Sequence, residues 1–409
     1  MNKATLTKYA DLIIRSGVNL KKGQTLVIRS DINAYPLVRA VCKKAYKRGA
    51  AKVIVKWSDE KLAQLDYTYQ NVCTLGNVEQ YIIDERNEWA DKKFPFVAIV
   101  SDDPDALESC DSNKVSARIK AMSAATKRWR NAELANEFNW TIAAYPSKEW
   151  AAKVFPKEKI SVAVKKLEDC IIKASRLDCC DAVGAWKEHS ARLRKLCDKL
   201  NAANISSLHY KSANGTDITV GLPDNYVFLG GSEQGLSGVP FNANIPSEEI
   251  FTAPHRLHVD GIVYSTLPLA RQGKIIDKFW LKFESGRVVD FAAEQGCDVL
   301  KNIIETDGGS HYLGEVALVP YDSPIQNMGV LFYETLFDEN ASCHFALGGA
   351  YASSVAGGEG MSEEQRFAAG LNESNEHVDF MVGSRDLEIT AITKDGGTFK
   401  VMSGGNFAF

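Results

Sequence analysis

Hydrophobic positions follow two rhythms along this chain. In the first half, helical and strand spacings alternate. Residues 4–16 set Leu6, Tyr9, Ala10, Leu12 and Ile13 near a helical period, and Gly17 offers a stop. TLVIRS (25–30) reads as a strand, residues 35–48 as a helix with Leu37, Val41 and Ala45 on one face, and AKVIVKW (51–57) as the next strand. Strand, helix, strand in this order favours a parallel pair, because a parallel neighbour needs a crossover long enough to hold a helix. FPFVAIVS (94–101) and WTIAAYP (140–146) predict two more strands, and residues 160–201 predict helices with Leu193, Leu196 and Leu200 as a packing stripe.

After residues 201–206 the pattern turns to hairpins. LHYKSANGTDITVGL (208–222) carries Asn214-Gly215 between two alternating runs, a two-residue turn signal. FWLKFESGRVVDFAA (279–293) repeats this around Ser285-Gly286, and LEITAITKDGGTFKVM (387–402) around Gly396-Gly397. One helical segment, 295–305, interrupts them. The expected architecture is an α/β N-terminal domain with a parallel sheet, residues 1–203. An α+β, largely antiparallel C-terminal domain, residues 204–409, follows it.

Composition narrows the class. The chain has 409 residues, 45% hydrophobic and 24% charged, which suits two cores. A net charge of -4 and a pI near 6.1 favour neither nucleic acid nor an anionic membrane as partner. No apolar stretch reaches the roughly 20 residues of a membrane span, and the N-terminus lacks the apolar core of a signal peptide, so a cytoplasmic protein is expected. The nine cysteines are scattered without a CxxC spacing, against both a zinc ribbon and a disulfide framework. There is no GxSxG elbow, and the glycine-rich stretch 348–360 lacks a GK[ST] ending; Ser362 with Gln365 looks instead like a capping box.

The chemistry sits in four short segments of the second half: NIPSEEIFTAP (244–254), HYLGEVALVP (311–320), SCHFALGGAY (342–351) and EHVDFMVGS (376–384). They deliver Glu249, Glu315, His344, His377 and Asp379, a mixed carboxylate and imidazole set of the type that holds zinc, cobalt or manganese. His377 and Asp379 are two apart, so in a strand they share a face. A surface His–Asp pair is the bland reading of that motif. Glu315 lies in an apolar run beside Ala317 and Val319 on one face, where a buried carboxylate needs a cation or hydrogen bonds; an edge strand in water is the alternative. Prolines 246 and 254 predict an extended, loop-like presentation of Glu248 or Glu249. His255 and His258 read as solvated, and Cys343, adjacent to His344 and so on the opposite face of a strand, as a buried structural thiol.

Together with YADLIIRSGVNLKKGQTLVI (9–28), these segments resemble the M29 family of metallo-aminopeptidases, the aminopeptidase T and aminopeptidase S group, over nearly the whole chain. The resemblance places the family's metal positions on Glu249, Glu315, His344, Tyr351, His377 and Asp379, and it alone prefers Glu249 to Glu248. It also implies two divalent ions per chain, peptide substrates with a free N-terminus, and a homodimer. The mechanism expected is attack by an activated water, with Glu249 and Glu315 as bridging or proton-handling carboxylates. His377 and Asp379 are expected on one ion and His344 on the other. Tyr351 is expected as a ligand or oxyanion donor. A metal-dependent hydrolase or lyase acting on a small non-peptide substrate, and a metal-bound scaffold without turnover, are the competing readings.

Overall fold

The structure, a computed structural model, describes residues 1–271 and 273–409. It contains two compact units, Met1–Glu188 with Ser232–Pro246, and His189–Gly231 with Ser247–Phe409. The change of pattern at 201–206 coincides with the end of the long helix Ala182–Ala202, where the chain turns into the strand Ile205–Lys211. The units themselves part earlier, within that helix, and the first reclaims residues 232–246.

The first unit is built on a parallel sheet in the order Asn244–Ile245, Trp140–Ala144, Phe96–Val100, Thr25–Asp31, Lys52–Ser58. Its central strand, Phe96–Val100, reads as an unbroken apolar run because both faces are covered. The helix Tyr35–Lys47 buries Leu37, Val38, Val41 and Ala45, and Gly49 beyond its end takes φ +94°, a conformation open to glycine. Trp129 stacks on Phe138 at 4.5 Å and meets Phe96 edge-on at 4.9 Å, anchoring one side of the sheet.

The second unit is antiparallel. A nine-stranded sheet includes Ile205–Lys211, Asp217–Gly221, Val259–Tyr264, Lys274–Glu284, Arg287–Gln295 and Glu388–Thr393. A five-stranded sheet runs His377–Met381, His344–Gly348, Leu313–Leu318, Ile250–Thr252, Leu229–Gly230. One face of the smaller sheet packs on the larger: Phe345 meets Tyr210 edge-on at 4.9 Å, and Phe380 meets Phe279 at 5.6 Å. Each such phenylalanine removed from water contributes ~1.5–3 kcal/mol.

Three local expectations need correction, one of them at 387–402, where the hairpin does not turn in two residues at Gly396-Gly397 but last pairs Ile392 with Thr398. The hairpin of 208–222 does not turn in two residues. Its last strand pair is Lys211 with Asp217, and the Asn214 side chain closes the longer loop by accepting from the Thr216 amide at 3.0 Å. Ser285-Gly286 is a true two-residue turn between Glu284 and Arg287, with φ +49° and +82°. The Glu249 segment, expected as loop, enters the smaller sheet as the short strand Ile250–Thr252.

Candidate metal centre

Strand register assembles the polar set. Glu315 pairs across with Ala346, which pairs on its other side with Asp379; Ala317 pairs with His344, and Gly348 with His377. Two-residue alternation then puts Glu315, Ala317, His344, Ala346, His377 and Asp379 on one face of the sheet. Val316, Leu318, Phe345, Leu347, Val378 and Phe380 take the other and belong to the core. The alanines matter: a small residue between Glu315 and Asp379 leaves room above the sheet where the two carboxylates can converge.

Converge they do. His344 Nε2 lies 3.2 Å from Glu249 Oε2 and 3.6 Å from Glu315 Oε1. His377 Nε2 lies 3.4 Å from Glu315 Oε2 and 3.3 Å from Asp379 Oδ1. Two overlapping groups result, Glu249–Glu315–His344 and Glu315–His377–Asp379, each with ligand atoms near enough to hold one cation; Glu315 belongs to both, one oxygen to each. Glu315 sits in the middle strand of its sheet and is 5% exposed, so the edge-strand alternative does not describe it.

Both imidazoles are turned the same way. His344 Nδ1 donates to the Ser342 carbonyl at 3.0 Å, and His377 Nδ1 to the Gly349 carbonyl at 2.8 Å. A carbonyl only accepts, so Nδ1 carries a proton and Nε2 faces the carboxylates, donating to them as imidazolium and free to offer its lone pair to a cation once that second proton leaves. That is the orientation a metal-binding histidine needs. Glu248 points elsewhere: it is buried, its carboxylate 3.6 Å from His189 Nε2 and its amide donating to Asn340 Oδ1 at 2.7 Å. Glu249 is the one of the pair that reaches His344.

Buried charges here set one another. Burial raises the Glu249 carboxyl, against hydrogen bonding to His344. For Glu315 burial works upward too, but hydrogen bonds from both histidines prevail and hold it low. Asp379 is likewise held low, the His377 charge prevailing over burial. Burial disfavours both imidazolium ions, yet the surrounding carboxylates lift His344 and His377 well above the ordinary histidine value.

A further carboxylate was missed in the sequence. Burial, and after it the charges of Glu249 and Asp379, push Glu339 well up, so it stands close to the same cluster. It lies in the single turn Glu339–Ala341, among other acids and with no periodic signal to mark it. Its place five residues before His344 was the one available hint. Four carboxylates and two imidazoles thus share one buried cluster, a set of oxygen and nitrogen donors of the kind that suits divalent cations.

The remaining candidates sort cleanly. The Tyr351 ring sits 5.2 Å from the His377 ring and 5.6 Å from Phe251, whose register with Ala317 puts it on the polar face. Cys343 faces the core, its thiol bonded to the Val319 backbone and pushed up to about 11 by burial. His255 and His258 stack on each other at 3.8 Å and belong to neither group. Parallel rings cannot both hold one ion in their planes.

The sequence model of the M29 peptidases, described as thermophilic metalloproteases, matches residues 2–407. Aminopeptidase AmpS of Bacillus subtilis is 44% identical over 99% of this chain and 98% of its own. Aminopeptidase 2 of Geobacillus stearothermophilus is 41% identical with the same coverage. The solved structure of wild-type AmpT from Thermus thermophilus superposes with a TM-score of 0.93 at 36% identity, each chain covered completely. An enzyme fold of parallel and antiparallel halves, a convergent carboxylate–imidazole centre and a match along its whole length place this chain in the M29 family of metallopeptidases.

Proposed function

We propose that the chain is an aminopeptidase that removes N-terminal residues from peptides at a centre for two divalent ions. The observation that carries this reading is Glu315, whose two oxygens face different histidines at 3.6 and 3.4 Å. Glu249 and His344 complete one position; His377 and Asp379 complete the other. Hard carboxylates with two imidazoles suit zinc, cobalt or manganese. Divalent ions held by these residues would supply Lewis acidity, lowering the pKa of a bound water and polarising the scissile carbonyl.

The protein's own groups do the rest. The carbonyls of Ser342 and Gly349 hold the imidazoles in register. Glu339 lies beside both ligand groups but within neither; cations bound there would offset the carboxylate charges that keep it protonated and so let it take a proton from the water and pass it to the leaving amine. Tyr351, next to His377, can donate its phenol hydrogen to the oxyanion. The specificity for a free N-terminus is supported by the aminopeptidase names of the relatives, and a homodimer belongs to the same reading.

The test is hydrolysis of aminoacyl-nitroanilides and dipeptides by protein stripped with a chelator and reloaded with zinc, cobalt or manganese. Two ions per chain with activity returning in step are expected. Protein that binds two ions yet releases no amino acid from any of these substrates would end the peptidase assignment.

A further inference from the structure

We propose that Asn372 is a positioning residue for this centre: it locks the Gly348-Gly349-Ala350 turn so that the Gly349 carbonyl meets His377 and Tyr351 is delivered to the site. The inference rests on the two-ion reading above. It is carried by the hydrogen bonds of two successive peptide planes.

The strand His344–Gly348 ends where its partner His377–Met381 begins, with Gly348 opposite His377. From there the chain must turn to Tyr351 through two glycines, the first at φ +114°. Glycines lose more freedom on ordering than any other residue and bring no side chain to hold the turn. Asn372 supplies the hold. It is buried, 2% exposed, and its Nδ2 donates to the Gly348 carbonyl at 2.6 Å and to the Gly309 carbonyl at 2.8 Å. Its own backbone carbonyl accepts from the Ala350 amide at 2.9 Å.

The geometry of the peptide bond converts these contacts into orientation. A trans peptide is planar, with N–H and C=O pointing in opposite directions. In the plane joining Gly349 to Ala350, the amide is tied to Asn372 and the carbonyl therefore points away from it, onto His377 Nδ1 at 2.8 Å. In the preceding plane the Gly348 carbonyl is tied to Asn372 Nδ2 and the Gly349 amide to the Glu376 carbonyl at 2.8 Å. One residue thus holds both planes that flank the acceptor of His377.

Asn372 is itself anchored. Asp307 takes up the Ser374 hydroxyl at 2.8 Å and the Asn375 amide at 2.7 Å, and Glu376 pairs with Arg271 at 2.6 Å. The segment leading into His377 is fastened along its length. Removing the Asn372 side-chain amide frees the Gly348 carbonyl and leaves the plane of the Gly349 carbonyl tied only through the Asn372 backbone, so the acceptor of His377 loosens while His344, held by Ser342, keeps its own.

The experiment compares wild type with N372A in the full chain, by cobalt titration followed through visible absorption and by hydrogen exchange on metal-free protein. In N372A one of the two cobalt-binding classes should weaken about 10–100-fold, as loss of a partner behind a ligand does, with the other unchanged. Exchange of the Gly349 and Ala350 amides should quicken in the metal-free protein. Two unaltered classes would overturn the proposal, as would parallel weakening of both alongside a lower melting temperature of metal-free N372A, the mark of a merely structural role. If N372A does not fold, N372S, which keeps one short donor, is read by the same criteria. Should wild type bind fewer than two ions, the two-ion reading fails; the exchange arm then decides alone, and unchanged exchange at 349–350 refutes the role of Asn372.

Discussion

Phe96–Val100 in the first unit and Leu313–Leu318 in the second are both interior strands, covered along almost their entire length. The first, FVAIV, contains nothing but apolar side chains; the second, LGEVAL, holds a carboxylate at the same depth. The difference lies in the neighbours. Phe96–Val100 sits between parallel strands whose facing residues are mostly apolar, Val27, Ile28, Ile142 and Ala143 among them, and no imidazole is in register with it. Leu313–Leu318 is flanked by a strand that brings His344 into register with Ala317, and Glu315 finds imidazole on both sides. A buried charge is tolerated where its partners are built in, and such a place is where chemistry is done.

The largest expected effect separates the two strands by function. E315Q keeps the shape but loses the charge shared by both ligand groups; kcat on an aminoacyl-nitroanilide should fall on the order of 10³-fold or more, with bound metal reduced by analysis of the purified variant. Full activity with two ions retained would remove Glu315 from the centre.

A second change makes the strands alike and so tests the comparison from the other side. V97D puts a carboxylate into Phe96–Val100, where Val97 is fully buried in register between Ile28 and Thr141, neither of which carries a charge. Stability should drop by about 3–5 kcal/mol, the cost of an uncompensated buried charge. Urea unfolding would check it; a midpoint unchanged from wild type would mean that strand context does not govern the cost.

The smallest effect distinguishes two adjacent glutamates. E249Q should lose metal, because Glu249 faces His344, whereas E248Q should keep its metal content and lose about 1–3 kcal/mol through the weakened contact with His189. Equal metal loss in both variants would contradict the opposite directions taken by the two side chains.

How much of this was legible beforehand varies with the source of each element's stability. The strands of the first unit were readable because long apolar runs between helices have few other uses. The face shared by His377 and Asp379, and that shared by Glu315 and Ala317, followed from a period of two. Ile250–Thr252 was not readable: three residues between prolines make a strand only because Leu313–Leu318 provides a ladder. Glu339 was hidden for a related reason, since a single turn leaves no repeat in the sequence. Asn372 looked like any loop asparagine until its two acceptors, Gly309 and Gly348, were brought to it from 63 and 24 residues away.

By itself, then, the sequence determined the two kinds of sheet, the apolar and polar faces of the strands, and the chemical type of the ligands. These follow from local periodicity and side-chain chemistry. Only the tertiary structure decided that Glu249 and not Glu248 meets His344, that Glu315 is common to both ligand groups, and that the Asn372 amide reaches the Gly348 carbonyl beside His377. Those are matters of register and chain reversal, and they depend on which distant strand forms the next ladder.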